Sequence, residues 1–560
     1  MKKTLLFTLL LISFFACKTK DVPRGPIADH AMVVSAREEA SEIGLEILKK
    51  GGNAFDAMIA TKFALAVSFP FAGNIGGGGF LVYRLRDGTT GTLDFREKAP
   101  LAATKQMYLD SLGEVIAGKS TTGASAVGVP GSVAGMFAAH KKFGTLPFNT
   151  LIQPAIDLAK KGVVVTQKQA NSLNYYRDKI VEVSGDTILF ANQFVAKDTI
   201  KYQSLARTLE LIRDHGQAGF YQGEIAEKIV DFIKFNGGII SLKDLKQYQA
   251  IWRDAVEFKY KDLKIISMGP PSSGGITLAQ IMKMVAPYSI GDFSHNGTEH
   301  IQLLTEAQRR AYADRAYFLG DPDFVHVPQH QLIDQEYLRK RMKSFSFDTA
   351  TSSSDVGHGA IEILEHDQTT HFSIVDPMGN AIAVTTTING AYGSKLYSEE
   401  LGFFFNNEMD DFSVKPGTPN MFGLTGGQAN SIAPEKRMLS SMTPTIVEKD
   451  GALSMTLGTP GGSTIITSVA QTMLNVYEFD MGMQQAVDAP RFHHQWLPDE
   501  VLMEPNGFDS LTIQTLKNKG YKIKHGQSRI IGKVDGIYVL PDGRLEGGAD
   551  RRGDDTAVGF

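Results

Sequence analysis

The stretch Thr369-Thr370-His371-Phe372-Ser373-Ile374-Val375-Asp376 is followed by Pro377-Met378-Gly379-Asn380 and then by Ala381 to Ile388. Two runs of strand composition flank four residues of turn chemistry, which reads as a β-hairpin. If Asp376 stands opposite Asn380, Thr369 falls opposite Thr387. Directly opposed Cβ atoms sit about 4.5–5.5 Å apart, within reach of a hydroxyl–hydroxyl hydrogen bond. Asn389, two residues past Thr387, then points to the same face. A turn one residue longer breaks this pairing. Isolated threonines are simply good strand residues; Thr369 differs because it opens a strand just after a linker-like run. A threonine that becomes a new N-terminus carries its own α-amine, whose pKa of about 7.7–8 suits a general base near neutral pH. That pairing is one way to activate a hydroxyl.

Around the hairpin, the chain of 560 residues is 42% hydrophobic and 21% charged, as a globular protein with a large core requires. Its formal net charge of −4 gives no basis for a nucleic-acid partner. Lys2 and Lys3 precede a short apolar run, Leu5 to Phe15, too short to span a bilayer, so residues 1–17 read as an export signal. The sole cysteine, Cys17, closes that run where a lipidated residue would stand, and it excludes a disulfide within the chain. Residues 18–34 read as a tether. A helix is expected from Ala36 to Lys50, capped by Ser35 with Glu38 three residues on, and another from Asn53, with Asp56 in its first turn, to Pro70. The run Asn74 to Gly79 leads into a strand, Leu81 to Leu85, and lacks the Lys-Ser/Thr pair of a phosphate loop. Residues 140 to 345 carry helical patterns such as Glu299 to Phe318. Thr349 to Ser354 and Gly357 to Ala360 form the best linker candidate, and short β-branched strands follow. The whole reads as mixed α/β, helix-rich first and strand-rich last.

Motifs along the chain carry a family resemblance. They are Gly51-Gly52-Asn53-Ala54-Phe55-Asp56-Ala57, Asp94-Phe95-Arg96-Glu97, Val129-Pro130-Gly131-Ser132, Pro270-Pro271-Ser272-Ser273-Gly274-Gly275, Gln368 to Ser373, Asn406 to Phe412, Leu439 to Thr445, and Gly458 to Ser463. From about residue 28 to the C-terminus the chain resembles γ-glutamyltranspeptidase (glutathione hydrolase). The resemblance implies a four-layer αββα sandwich of the N-terminal-nucleophile hydrolase type. It implies one precursor cut between Gln368 and Thr369 into a large subunit (35–368) and a small subunit (369–560), which together form one sandwich and a heterodimer.

By the same resemblance Thr369 is the nucleophile and Thr387 holds it. Arg96, Ser440 and Ser441 bind the substrate α-carboxylate, while Glu408, Asp411 and Asn389 accept its α-ammonium. Gly461 and Gly462 form the oxyanion hole. Bacterial relatives often carry Gln at the Glu408 position. Pro416 to Gly426 is similar to a lid loop, with Phe422 where many relatives have a tyrosine, and Met438 stands where proline is common. The implied partners are glutathione and other γ-glutamyl compounds, with water, an amino acid or a dipeptide as acceptor, and no cofactor or metal. His493-His494 are read as structural because neighbours on a strand face opposite sides. Arg551 to Asp555 is read as a charge network. The implied place is outside the cytoplasm of a bacterium, periplasmic or held at the outer membrane through Cys17, with no other membrane contact. Two other classes stand beside this one: a related acylase of the cephalosporin acylase type, and a non-catalytic binding lipoprotein. A complete amino acid clamp disfavours the first, and Thr369 with Thr387 and both glycines disfavours the second.

Overall fold

A computed structural model describes residues 24–73, 75–356, 369–525 and 530–560. The export signal, Cys17, Asn74, Gln368 and the Gly357–Ala360 part of the linker lie outside the described residues. Two antiparallel sheets of seven strands each form the centre. The first runs β1 (Ile27–Ala28), β13 (Leu545–Gly548), β12 (Asp535–Val539), β11 (Ala452–Gly458), β10 (Thr445–Lys449), β7 (Leu263–Ser267) and β6 (Val256–Tyr260). The second runs β14 (Thr556–Gly559), β2 (Met32–Ser35), β8 (Thr370–Val375), β9 (Ala381–Thr387), β3 (Gly78–Arg84), β4 (Thr90–Asp94) and β5 (Ile251–Arg253).

Strand alternation sorts side chains into layers. Val34, Phe80 and Ala383 of the second sheet meet Ile266, Ile446 and Ile537 of the first between the sheets. The opposite face of the second sheet, with Phe372, Ile374 and Val384, is covered by α1 (Glu38–Lys49) and α2 (Ala54–Ser68). That of the first, with Ile265, Val447 and Leu457, is covered by α3 (Gly274–Val285), α4 (Thr298–Phe318) and α5 (Ile465–Tyr477). The result is the expected αββα sandwich. Every residue of α2 is buried, as befits a helix apolar on all sides. Asn53 caps it in a full capping box with Asp56.

Two local expectations fail. Ser35 is no N-cap: it ends β2, paired with Phe372 and Thr556, and the first helix starts at Glu38 behind Arg37, without a side-chain cap. Thr349–Ser354 is not a loose linker either. Ala350 N–H donates to the Lys519 carbonyl at 2.7 Å, and buried Ser353 is held by the Trp496 carbonyl at 2.6 Å and by Asp499. Both failures come from partners remote in sequence overriding local composition.

Candidate active site

The hairpin forms in the expected register. Pairs run from Thr370 with Thr386 to Val375 with Ala381, and Asp376 N–H donates to the Asn380 carbonyl at 3.0 Å. One further step of the same ladder sets Thr369 opposite Thr387, the last residue of β9. Phe372 and Ile374 face the helices, so alternation turns Thr369, His371 and Ser373 toward the space between the sheets. The glycine run before β3 lets the strands close here: a Cβ on Gly77 would stand 2.0 Å from the Thr387 carbonyl oxygen. Asn389 reaches the site differently from the expectation. It lies past the strand end at φ +69°, and its backbone N–H donates to Thr387 Oγ1 at 2.7 Å.

Thr369, Thr387, Asn389 and Gly462 share one small cavity with Arg96, Asp411, Ser440 and Ser441, residues from distant parts of the chain. Glu408 and Gly461 are not part of its lining, though Glu408 is paired with the lining residue Arg96 and Gly461 adjoins Gly462 in the chain. The cavity is about 20 Å³, room for about one water, and Phe422 and Leu424 form part of its lining. The Pro416–Gly426 loop, the expected lid, is tied down at three points. Asn420 Nδ2 donates to Asp411 Oδ1 at 2.9 Å, Met421 N–H to Asp410 at 2.8 Å, and Gln495 Nε2 to the Gly423 carbonyl at 3.1 Å.

Arg96 is buried, with Nη1 2.5 Å from Glu408 and Nη2 2.5 Å from Asp411. Glu97 lies 3.7 Å away. Burial pushes the Glu408 carboxyl well above the usual range; Arg96 pulls it down, and Glu97 and Asp411 push it further up. Burial likewise raises Glu97 to about 8, against the pull of Arg96, and lowers Lys62, beside Glu97, to about 7. The groups assigned separately to a carboxylate and to an ammonium are therefore paired with one another. A ligand carrying both charges can exchange with these internal pairs without stranding a buried ion.

Ser440 Oγ accepts the Met442 N–H at 3.1 Å, and Ser441 Oγ accepts Arg315 Nη2 at 3.0 Å. Gly461 and Gly462 follow β11 at φ +137° and +52°, a backbone that L side chains rarely adopt. At Gly461 a Cβ would also stand 2.5 Å from Thr464 Oγ1. His371, two residues beyond Thr369, is buried and held neutral by that burial, its pKa pushed down to about 3. Its nitrogens are engaged by Thr385 and Ser373 at 2.9 and 3.0 Å, so it is no base for Thr369. His493 and His494 are also buried, bonded to Thr467 and Gln495 and to Asp499. Arg315 and Gln495 were not found by sequence reasoning, since each is defined by a partner far along the chain; Asn420, nine residues from Asp411, lies inside the Pro416–Gly426 run but was not singled out. A roomier cavity of about 380 Å³, lined by Phe69, Phe71, Tyr176 and Tyr392, contains none of the predicted site residues.

Two facing sheets between helical layers, with a threonine at the head of a central strand, define an N-terminal-nucleophile hydrolase. A family model for gamma-glutamyltranspeptidase matches residues 40–560. The glutathione hydrolase proenzyme of Escherichia coli strain K12 is 42% identical over 95% of this chain and 92% of its own. That of Pseudomonas sp. strain A14 is 45% identical over 93% and 91%. The crystal structure of cephalosporin acylase from Bacillus halodurans superposes with a TM-score of 0.85 at 25% identity, covering 98% of this chain and 99% of that one. The chain belongs to the gamma-glutamyltranspeptidase family, and it is an enzyme.

Proposed function

We propose that the chain cuts itself between Gln368 and Thr369 and then acts on glutathione and other γ-glutamyl compounds. Thr369 Oγ attacks the Gln368 carbonyl, the chain shifts from amide to ester, and water releases the two pieces. The freed α-amine then takes the Oγ proton as Oγ attacks the γ-carbonyl. The developing oxyanion is met by the N–H groups of Gly461 and Gly462, each donor worth about 2.7–4 kcal/mol of barrier. The leaving amine departs with the proton, and the ester passes to water, an amino acid or a dipeptide.

The observation that carries this reading is the charged cluster of Arg96 with Glu408 and Asp411 beside Ser440 and Ser441. It matches the head of an α-amino acid, which a γ-glutamyl group leaves free. The likeness to a cephalosporin acylase favours a second reading, side-chain amide hydrolysis, but an amide without an amino acid head leaves the cluster unused. Purified protein is expected as two chains, the smaller beginning at Thr369 by mass, releasing chromophore from γ-glutamyl-p-nitroanilide. Thr369→Ala is expected to stay one inactive chain; cleavage at that bond in the variant overturns the assignment. We also place the enzyme outside the cytoplasm, anchored by a lipid on Cys17. Cys17→Ser should then move it from the membrane fraction to the soluble one.

A further inference from the structure

Arg315 lies buried in the last turn of α4. Its Nε donates to Ser273 Oγ at 2.8 Å and its Nη2 to Ser441 Oγ at 3.0 Å. Ser273 in turn donates its hydroxyl and its backbone N–H to the Ser440 carbonyl, at 2.7 and 2.8 Å. Ser272 Oγ donates to the Met442 carbonyl at 2.6 Å, and a Cβ on Gly274 would stand 2.5 Å from the same oxygen. The Pro270–Gly275 motif, which has no role in the chemistry above, is thus the bed on which the serine pair rests, and Arg315 ties the two together.

A serine hydroxyl has one proton and two lone pairs. Arg315 occupies a lone pair of Ser441 Oγ, so the proton is left to point away from the guanidinium, and Ser441 lines the cavity that holds Thr369. A donor turned into that cavity is what an anionic ligand requires, and the adjacent cation strengthens it. The charge of Asp411 reaches Arg315, but both guanidinium contacts above are to neutral hydroxyls. Burial lowers Arg315 only to about 10, so it is cationic at neutral pH. Arginine in direct contact only with neutral hydroxyls is costly to bury, and a ligand carboxylate beyond Ser441 adds its charge to that of Asp411.

We propose that Arg315 is a positioning residue of the α-carboxylate subsite: through Ser441 and Ser273 it orients the serine pair as donors and stands behind them as a second cation. The preference for a free α-carboxylate then depends on it. This inference rests on the γ-glutamyl reading given above. A merely structural tie would weaken all donors alike, and the test separates the two.

Arg315→Met and Arg315→Lys are purified after self-cleavage, which needs no free α-carboxylate and so reports folding. Each is assayed with γ-glutamyl-p-nitroanilide and with the same compound bearing an α-carboxamide. For the methionine variant the expected result is a KM for the free acid raised about tenfold to a hundredfold. Its kcat, and its activity on the amide, should change less than about threefold, with partial rescue by lysine. An unchanged acid-to-amide ratio, with the unsubstituted enzyme active, overturns the inference alone. If the methionine variant fails to cleave itself, the same ratio in Arg315→Lys and Ser273→Ala decides. No turnover of either donor by the unsubstituted enzyme overturns the γ-glutamyl reading and this inference with it.

Discussion

Glu408 shows how far a single residue could be read before the fold was known. Its acidity was visible beside Asp411; that Arg96 would lie 2.5 Å from it was not, because the two are 312 positions apart. The same holds for Asn389, whose place in the site was expected from strand parity but is reached by a left-handed turn that no alternation rule contains. If Glu408 holds the substrate ammonium as a charge, Glu408→Gln keeps the shape and a hydrogen bond but loses the charge assistance. That is worth about 1 kcal/mol, or roughly a fivefold rise in KM for a γ-glutamyl donor, with kcat less affected. Steady-state kinetics at neutral pH check this, and an unchanged KM would show that the acidic side chain adds nothing to binding.

At the scale of elements, the hairpin was legible because its turn, strand composition and register are set within twenty residues. The N-cap at Asn53 was legible for the same reason, though the reciprocal bond from Asp56 that makes it a full capping box was not foreseen. The capping-box spacing of Ser35 and Glu38 misled because pairing with Phe372 and Thr556 claims Ser35 for the sheet. The lid belongs to the less legible kind, being held by its ties. Asn420 makes one of them, its amide donating to Asp411, and it also braces the loop from within, its Oδ1 accepting the N–H groups of Phe422 and Leu424 at 3.0 and 3.1 Å. Each such bond contributes about 0.5–1.5 kcal/mol. Asn420→Ala is therefore expected to raise the open fraction of the lid about tenfold. Limited proteolysis between Pro416 and Gly426 should quicken by that factor, with self-cleavage unchanged. Equal proteolysis rates in variant and parent would mean that the lid is held elsewhere, through Gln495 or Met421.

Across the whole molecule the two proposed subunits are interleaved. β8 and β9, from the C-terminal side of Thr369, sit between β2 and β3 from its N-terminal side, so a cut before Thr369 leaves both pieces locked in one sheet. The C-terminal charge network reaches under the site from the other sheet: Asp535 pairs with Gly458 at the foot of the Gly461 loop, and Arg491 and Arg552 ion-pair with Asp550. Here the buried carboxyls oppose one another. Burial drives Asp555 up to about 7, with Asp550 adding to it and Lys533 opposing, and burial with the Asp555 charge drives Asp535 well above its usual range. Asp550 goes the other way: burial works against it, but Arg491 and Arg552 hold it low.

The signs give opposite windows. An acid raised in the folded state favours folding below its unfolded pKa of about 3.9 and loses that contribution as pH climbs toward the folded value near 7. Asp550, depressed, contributes above about 3.9 and is lost as pH falls through its lower folded value. The contribution of Asp535 and Asp555 to stability should therefore decline from about pH 4 to pH 7, whatever the buried histidines, whose pKa values burial lowers, add over the same range. Asp555→Asn removes one titration while keeping the side-chain shape, so its melting temperature relative to the parent should rise over that range. Melting curves of the uncleaved Thr369→Ala chain, with and without Asp555→Asn, isolate this from processing. Identical slopes would mean that the Asp535–Asp555 pair does not share a proton in the folded protein, and that the loop bearing Gly461 rests on a charged rather than a neutral support.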